Sequence, residues 1–156
     1  MQPPIPAILI LEDGQTFTGH SFGAHGEIFG KTVIDTGMSG YQEYLTDPAR
    51  SGQIVVATAP HIGNTGWNDE DSCSERIQAA GFVVRDPSPR PSSWRSRRSL
   101  DEAMAADGVV GIAGIDTRAL TLHIRDHGPL RAGISTTDLD RESLLDKVRR
   151  YGAGED

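Results

Sequence analysis

A single cysteine, Cys73, stands in a chain of 156 residues. One thiol allows no internal disulfide and no zinc site built from cysteines. Its neighbours in "DSCSE" are acidic, which raises a thiol's pKa and works against a nucleophile, and no glycine elbow surrounds it. No apolar run approaches the ~20 residues that a membrane-spanning helix needs. The short apolar run in "MQPPIPAILILEDG" has no basic segment before it, so it does not read as a signal peptide. Cationic charge is also scarce: 15 Lys and Arg face 22 Asp and Glu, for a formal net charge of −7. That balance favours solubility and argues against a broad nucleic-acid surface. These absences together indicate a soluble protein of a reducing, cytoplasmic setting.

The familiar templates of cofactor and metal chemistry are missing too. Glycine pairs occur as Gly37-x-x-Gly40, Gly63-x-x-Gly66 and Gly111-x-x-Gly114. None forms a GxGxxG, and no GKS or GKT follows a glycine loop, so turns and tight packing account for them. His123 and His127 stand four apart, the spacing of two ligands on one helix face. The residues between them are Ile-Arg-Asp, so HExxH fails and no third ligand is apparent. "NDED" at 68–71 is acidic but lacks the alternate spacing and the glycine of an EF-hand loop. "RPSSWRSRRS" sets Arg90, Arg95, Arg97 and Arg98 around Trp94, a composition that suits single-stranded nucleic acid, but the patch is short and the chain acidic, which favours a surface loop facing a protein partner.

What is present is enough for one domain with a real core: at ~150 residues, folding buries about 68–70% of the surface the unfolded chain exposes. "AILILEDGQTFTGHSFG" reads as a β-hairpin turning at Asp13-Gly14. "GKTVIDTG" gives a strand around Thr32–Thr36, and "QIVVATAP" a β-branched strand ended by Pro60. Residues 61–75 are loop by composition. "RIQAAGFVVRD" fits helix or strand, with Phe82-Val83-Val84 favouring strand in its second half. Ser99 and Glu102 have the spacing of a capping box ahead of "LDEAMAAD", a helix with Leu100, Ala103 and Met104 on one face and Gly108 as its stop. "GVVGIAGI" is a buried strand whose small residues let another backbone come close. Asp116 or Thr117 caps the next helix, "RALTLHIRDH", which buries Leu120 and Ile124 and ends at Gly128. A last helix, "DLDRESLLDKVRR", sets Leu144, Leu145 and Val148 on one face, and "YGAGED" reads as a linker or frayed end.

The expected class is therefore α+β, a mixed β/α domain with a strand-rich first half, about three helices in the second half and no regular βαβ alternation. Two loops stand out as polar and glycine-bearing, 36–53 ("TGMSGYQEYLTDPARSGQ") and 60–71. Loops of that kind often line a functional site, yet the first holds no Cys, His or Lys.

Those loops carry a resemblance. "TGMSGYQEYLTDP", "QIVVATAPHIGNTGWNDED" and "GIAGIDTRALTLHIRDHG" resemble, in order, successive signatures of the carbamoyl-phosphate synthase small subunit. "LEDGQTFTGHSFGA" and "RDPSPRPSSWR" fit the same family, and the likeness runs over roughly residues 7–135. It is to the N-terminal domain. The resemblance implies a swivelling β/β/α-type domain over residues 1–150, the start of a linker at 151–156, and a C-terminal glutaminase domain that lies outside this chain. The complete small subunit would hydrolyse glutamine to glutamate and ammonia. The large subunit would use the ammonia with bicarbonate, ATP and a divalent metal ion to make carbamoyl phosphate for arginine and pyrimidine biosynthesis. This domain would hold no cofactor and no metal of its own. Its partners would be its own glutaminase domain, the large subunit and glutamine, with no nucleic acid and no membrane.

By the same resemblance, Ala49 occupies a position where the family usually has a serine that reaches glutamine. Arg50 replaces a usual aromatic, Ala59 a common tyrosine and Ser93 a common asparagine. Tyr41, Gln42, Glu43, Asp47, Asn64, Asp116 and Arg118 are candidates for interdomain or interface contacts. Two rival readings come from other classes: an autonomous nucleic-acid-binding module using the loop at 90–98, and a free-standing hydrolase using Cys73.

Overall fold

The structure, a computed structural model, describes residues 5–36, 41–58, 61–62, 76–87 and 100–153. The chain begins as the expected hairpin. β1 (Pro6–Leu11) and β2 (Thr16–Gly23) pair antiparallel, with Ala7 opposite Gly19. The turn is built as its sequence requires. Gly14 adopts φ 95°, and the Asp13 carboxylate accepts a hydrogen bond from the Gln15 N–H at 3.0 Å. β3 (Glu27–Asp35) starts earlier than its β-branched stretch indicates. It leads through α1 (Tyr41–Thr46) and a single 3₁₀ turn (Pro48–Arg50) into β4 (Gln53–Ala57).

Two very short strands, β5 (His61–Ile62) and β7 (Asp86–Pro87), pair with each other outside the main sheet. β6 (Gly81–Val83) lies between them in the chain; the residues just before it, 76–80, form no helix. Then follow α2 (Leu100–Ala106), β8 (Val110–Ala113), α3 (Thr117–His127), β9 (Arg131–Ser135) and α4 (Arg141–Ala153). The helix stops fit the sequence: Gly108 and Gly128 have φ 71° and 83°. The capping serine proposed for α2, Ser99, lies outside the described residues, as do the loops at 63–75 and 88–99. α4 continues through Tyr151, which stacks on Phe29 with ring centroids 5.8 Å apart.

Seven strands close into a barrel in the order β1-β2-β8-β6-β4-β3-β9, with β9 returning to β1. Within it β3, β4, β6 and β8 form a parallel run, flanked by antiparallel pairings on both sides. The class is α+β, as expected. A closed barrel is not a feature that the swivelling β/β/α description names.

β1, β4, β6, β8 and β9 are buried on both faces, inside the closed barrel and under the helices outside it, in keeping with parallel sheets covered on each side, while β2 and β3 are mostly half-buried. In β4, Ile54 and Val56 join the inward set with Leu9, Val83, Ile112 and Ile134. Val55 and Ala57 point the other way and meet Phe82, Leu45, Leu100 and Met104 under α1 and α2. A third cluster packs Leu144 and Val148 of α4 on Ile8 and Ile10. α3 adds Leu120 and Ile124 to the inward set. Gly111 is the predicted close approach: a β-carbon there would sit 2.7 Å from the Phe22 carbonyl and 3.0 Å from that of Phe82. Among the described residues no helix is long and apolar enough to cross a membrane.

Candidate functional site

The parallel run gives the barrel two distinct ends. At the carboxyl end the chain leaves β3 at Asp35, β4 at Ala57, β6 at Val83 and β8 at Ala113. Segments that follow parallel strands at this edge are where α/β architectures usually place their ligands. Here a cavity of about 440 Å³ opens beside α3. Thr58 and Arg85 enter it directly from the ends of β4 and β6. α3 contributes Thr117, Arg118, Thr121 and Arg125, with the half-exposed Leu122 at its rim. Among the described residues no carboxylate lines it.

Local geometry fixes these side chains. Asp116 caps α3, its carboxylate accepting from the Ala119 N–H at 3.0 Å. The Gly114 N–H donates to the Arg85 carbonyl at 3.0 Å, tying the β6 and β8 exits together. The Thr58 amide and hydroxyl both donate to the Asp35 carbonyl, at 3.0 and 3.3 Å. Arg118 and Arg125 therefore stand on a helix whose start is fixed, one turn before and one turn after Thr121 on the same face.

The other end holds the glutamine-contact position indicated by resemblance. The Asp47 carboxylate accepts from the Ala49 N–H at 3.0 Å, and the Asp47 carbonyl accepts from Arg50 N–H at 2.8 Å, so Asp47-Pro48 is a turn-forming pair. Ala49 is exposed on the 3₁₀ turn that feeds the start of β4. The Arg50 guanidinium donates to the Tyr44 hydroxyl at 3.1 Å and lies 4.9 Å over its ring, a cation–π contact. That contact ties the turn to α1. Tyr41, Gln42 and Glu43 form the first part of α1, and their side chains lie outside the description. Asn64, Ala59, Cys73, Ser93 and the Arg/Trp loop also lie outside the described residues.

Two further polar clusters have structural roles. His123 Nε2 meets the Asp13 carboxylate at 2.6 Å, and the His127 ring stacks on that of His123 and contacts the His123 carbonyl at 2.9 Å. Burial pushes the Asp13 carboxyl up, but the Gln15 N–H and the His123 ring outweigh it and bring it below its ordinary value. The pair closes α3 onto the first hairpin. Among the described residues no group of three metal-ligating side chains assembles. Asp138 receives the Ser143 hydroxyl at 2.6 Å and the Lys147 ammonium at 2.9 Å, which hold its carboxyl at about 2. Lys147 also reaches Glu27, joining α4 to β3.

Sequence reasoning had picked out Asp116 and Arg118 at the carboxyl end, and Asp47 and Ala49 at the other. It missed Thr58, Arg85, Thr121 and Arg125. The spacing 118-121-122-125 is one helix face and was the available signal; Thr58 and Arg85 join it only through the strand order.

The molecule is thus an α+β barrel domain whose loops converge at the two ends of a parallel run. Residues 9–134 match the family model of the carbamoyl-phosphate synthase small chain, CPSase domain. The chain belongs to that family. It is 57% identical over 148 residues to the carbamoyl phosphate synthase small chain of Streptomyces avermitilis, covering 94% of this chain and 39% of that protein. It is 59% identical over 130 residues to that of Mycobacterium tuberculosis, covering 82% of this chain and 35% of that protein. The chain thus spans about two fifths of the length of the relatives it matches. Among solved structures, an aminopeptidase from Aneurinibacillus sp. strain AM-1 superposes with a TM-score of 0.51 over 86% of this chain and 31% of that one, at 15% identity. At that identity the likeness is one of fold alone.

Proposed function

We propose that this chain is the non-catalytic N-terminal domain of a glutamine-dependent carbamoyl-phosphate synthase small subunit, acting in assembly and in finishing the glutamine pocket. The observation that carries the reading is the family match over residues 9–134, in relatives of which the chain spans about two fifths. On this reading the glutaminase chemistry belongs to the remaining length of such a subunit. The large subunit carries the ATP, divalent metal and bicarbonate chemistry. The pathway would be that of arginine and pyrimidine precursors in the cytoplasm, and the domain would have the family's swivelling β/β/α character. Tyr41, Gln42, Glu43, Asp47, Asn64, Asp116 and Arg118 are the residues proposed for interdomain or intersubunit contacts.

Ala49 provides the test. An exposed alanine on a short turn offers no side-chain donor to glutamine. One neutral hydrogen bond is worth about 0.5–1.5 kcal/mol net, or roughly two- to tenfold in affinity. Ala49→Ser in the complete small subunit, assayed as glutaminase with its large subunit, should lower the KM for glutamine by that factor with little change in kcat. An unchanged KM removes Ala49 from the glutamine pocket. Failure of the chain to associate with either the glutaminase domain or the large subunit in a pull-down removes the assembly role.

A further inference from the structure

We propose that the cavity between α3 and the exits of β4 and β6 binds a phosphoryl group, free or as part of a small ligand. The inference does not depend on the functional reading above. Arg85, Arg118 and Arg125 converge on the cavity, and among the described residues none of them makes an ion pair or a side-chain hydrogen bond. In a chain with 22 acidic residues and a net charge of −7, these three exposed arginines meet no carboxylate among the described lining residues. An anion is the partner they suit, and guanidinium forks match phosphate oxygens bidentately.

Thr121 supplies a second and independent observation. It is 6% exposed, it lines the cavity, and its hydroxyl has no hydrogen-bond partner. Buried hydroxyls are nearly always paired, so this one points to an oxygen that completes the site. The third contribution is the start of α3. Asp116 satisfies the Ala119 amide and its carbonyl accepts from Leu120, while the Thr117 and Arg118 amides have no partner among the described residues. Those free amides and the positive end of an eleven-residue helix favour an anion. Three cations and a helix dipole suit a dianionic phosphoryl group better than a single carboxylate. A volume of about 440 Å³ leaves room for a small body attached to it.

Isothermal titration of the chain with inorganic phosphate, at ionic strength held constant with chloride, tests this. Saturable one-to-one binding is expected. Arg118→Gln and Arg125→Gln each remove a charged hydrogen-bond donor and should weaken it by about tenfold or more. Thr121→Val, which deletes the unpartnered hydroxyl at constant shape, should weaken it several-fold. Arg150→Gln, on an exposed arginine of α4, should change nothing. Arg118 and Arg125 are exposed, so the variants should keep the wild-type circular dichroism. Three results would overturn the proposal. One is no saturable binding up to about 10 mM phosphate, where even a Kd of about 1 mM would be near saturation. Another is binding that survives Arg118→Gln unchanged. The third is tighter binding of succinate with the same arginine dependence, which would assign the cavity to carboxylates.

Discussion

Replacing Gly19 by alanine should cost the protein a large part of its stability, although the usual expectation has the opposite sign. Gly19 lies in β2 with no positive φ. At such a position Gly→Ala normally stabilises by about 0.4–1 kcal/mol, by restricting the unfolded chain. Here a β-carbon would stand 2.1 Å from the carbonyl oxygen of Ala113 and 3.2 Å from the Ile115 side chain. An unstrained carbon–oxygen contact needs about 3.3 Å, so the two backbones would have to part by about 1 Å. They are not free to do so. His20 pairs with Ala113 across the β2–β8 seam, and Ala113 lies between backbone bonds from Val84 to Ile112 and from Gly114 to Arg85. Overpacking costs about 1–3 kcal/mol and sometimes more. A clash between two fixed backbones belongs at the upper end, about 3 kcal/mol. Against a total of about 5–15 kcal/mol, that should lower Tm by roughly 6–12 °C, at about 2–4 °C per kcal/mol for a domain of this size. Thermal melts and urea titrations followed by circular dichroism would measure it. A Gly19→Ala variant as stable as the parent, or more so, would refute the tight β2–β8 seam and with it the closed barrel.

The remaining expectations concern charge and distance. The Asp138 carboxyl is held at about 2 by Ser143 and Lys147, below its ordinary 3.8, so its contribution is present above about pH 4 and is lost as pH falls towards 2. Asp138→Asn should therefore be less stable than the parent at pH 6, with most of that difference gone near pH 2, as read by urea midpoints at the two values; an unchanged difference would mean that the cluster does not act through charge. Ala49 and the arginine cavity lie at opposite ends of β4, whose five residues span about 16 Å, so their effects should be independent. Ala49→Ser should leave phosphate affinity unaltered, and Arg125→Gln should leave the KM for glutamine unaltered; a cross-effect in either titration or kinetics would place the two in one site.

Local signals were legible where a few adjacent residues decide the outcome. Asp13-Gly14 specifies a turn by its own chemistry, Asp116 finds the third amide along, and Gly111 announces a close backbone approach. β9 announces nothing comparable. "RAGIS" is short and holds three small residues, so it scores weakly as a strand. Yet it pairs with β1 on one side and β3 on the other and so closes the barrel. Gly133 is small because Phe29 and Val148 press on it, each within 2.9 Å of where a β-carbon would be. Both neighbours come from distant segments, and no window of sequence contains them. The arginine cavity was hidden for the same reason: Arg118 and Arg125 share a helix, but Thr58 and Arg85 arrive only because β4 and β6 are neighbours in a parallel run.

Strand order also changes what the stretch "TGMSGYQEYLTDPARSGQ" can be. As a sequence it reads as one polar loop with one purpose. In the fold it starts at the carboxyl end of β3, travels back along the barrel as α1, and finishes in the Asp47–Arg50 turn at the amino end of β4. Its two ends therefore face different surroundings. The turn bearing Ala49 shares its end of the barrel with the bridge between Ser51 and Ala79. Thr58, Arg85 and α3, which follow β4, β6 and β8, gather at the opposite end. A domain proposed both to finish a glutamine pocket and to dock on a second chain needs two separate surfaces held at a fixed spacing. A closed barrel with a packed interior is stiff enough to hold them so, because that interior resists shear between the strands. Contacts made at one end then constrain the position of the other without either surface having to move.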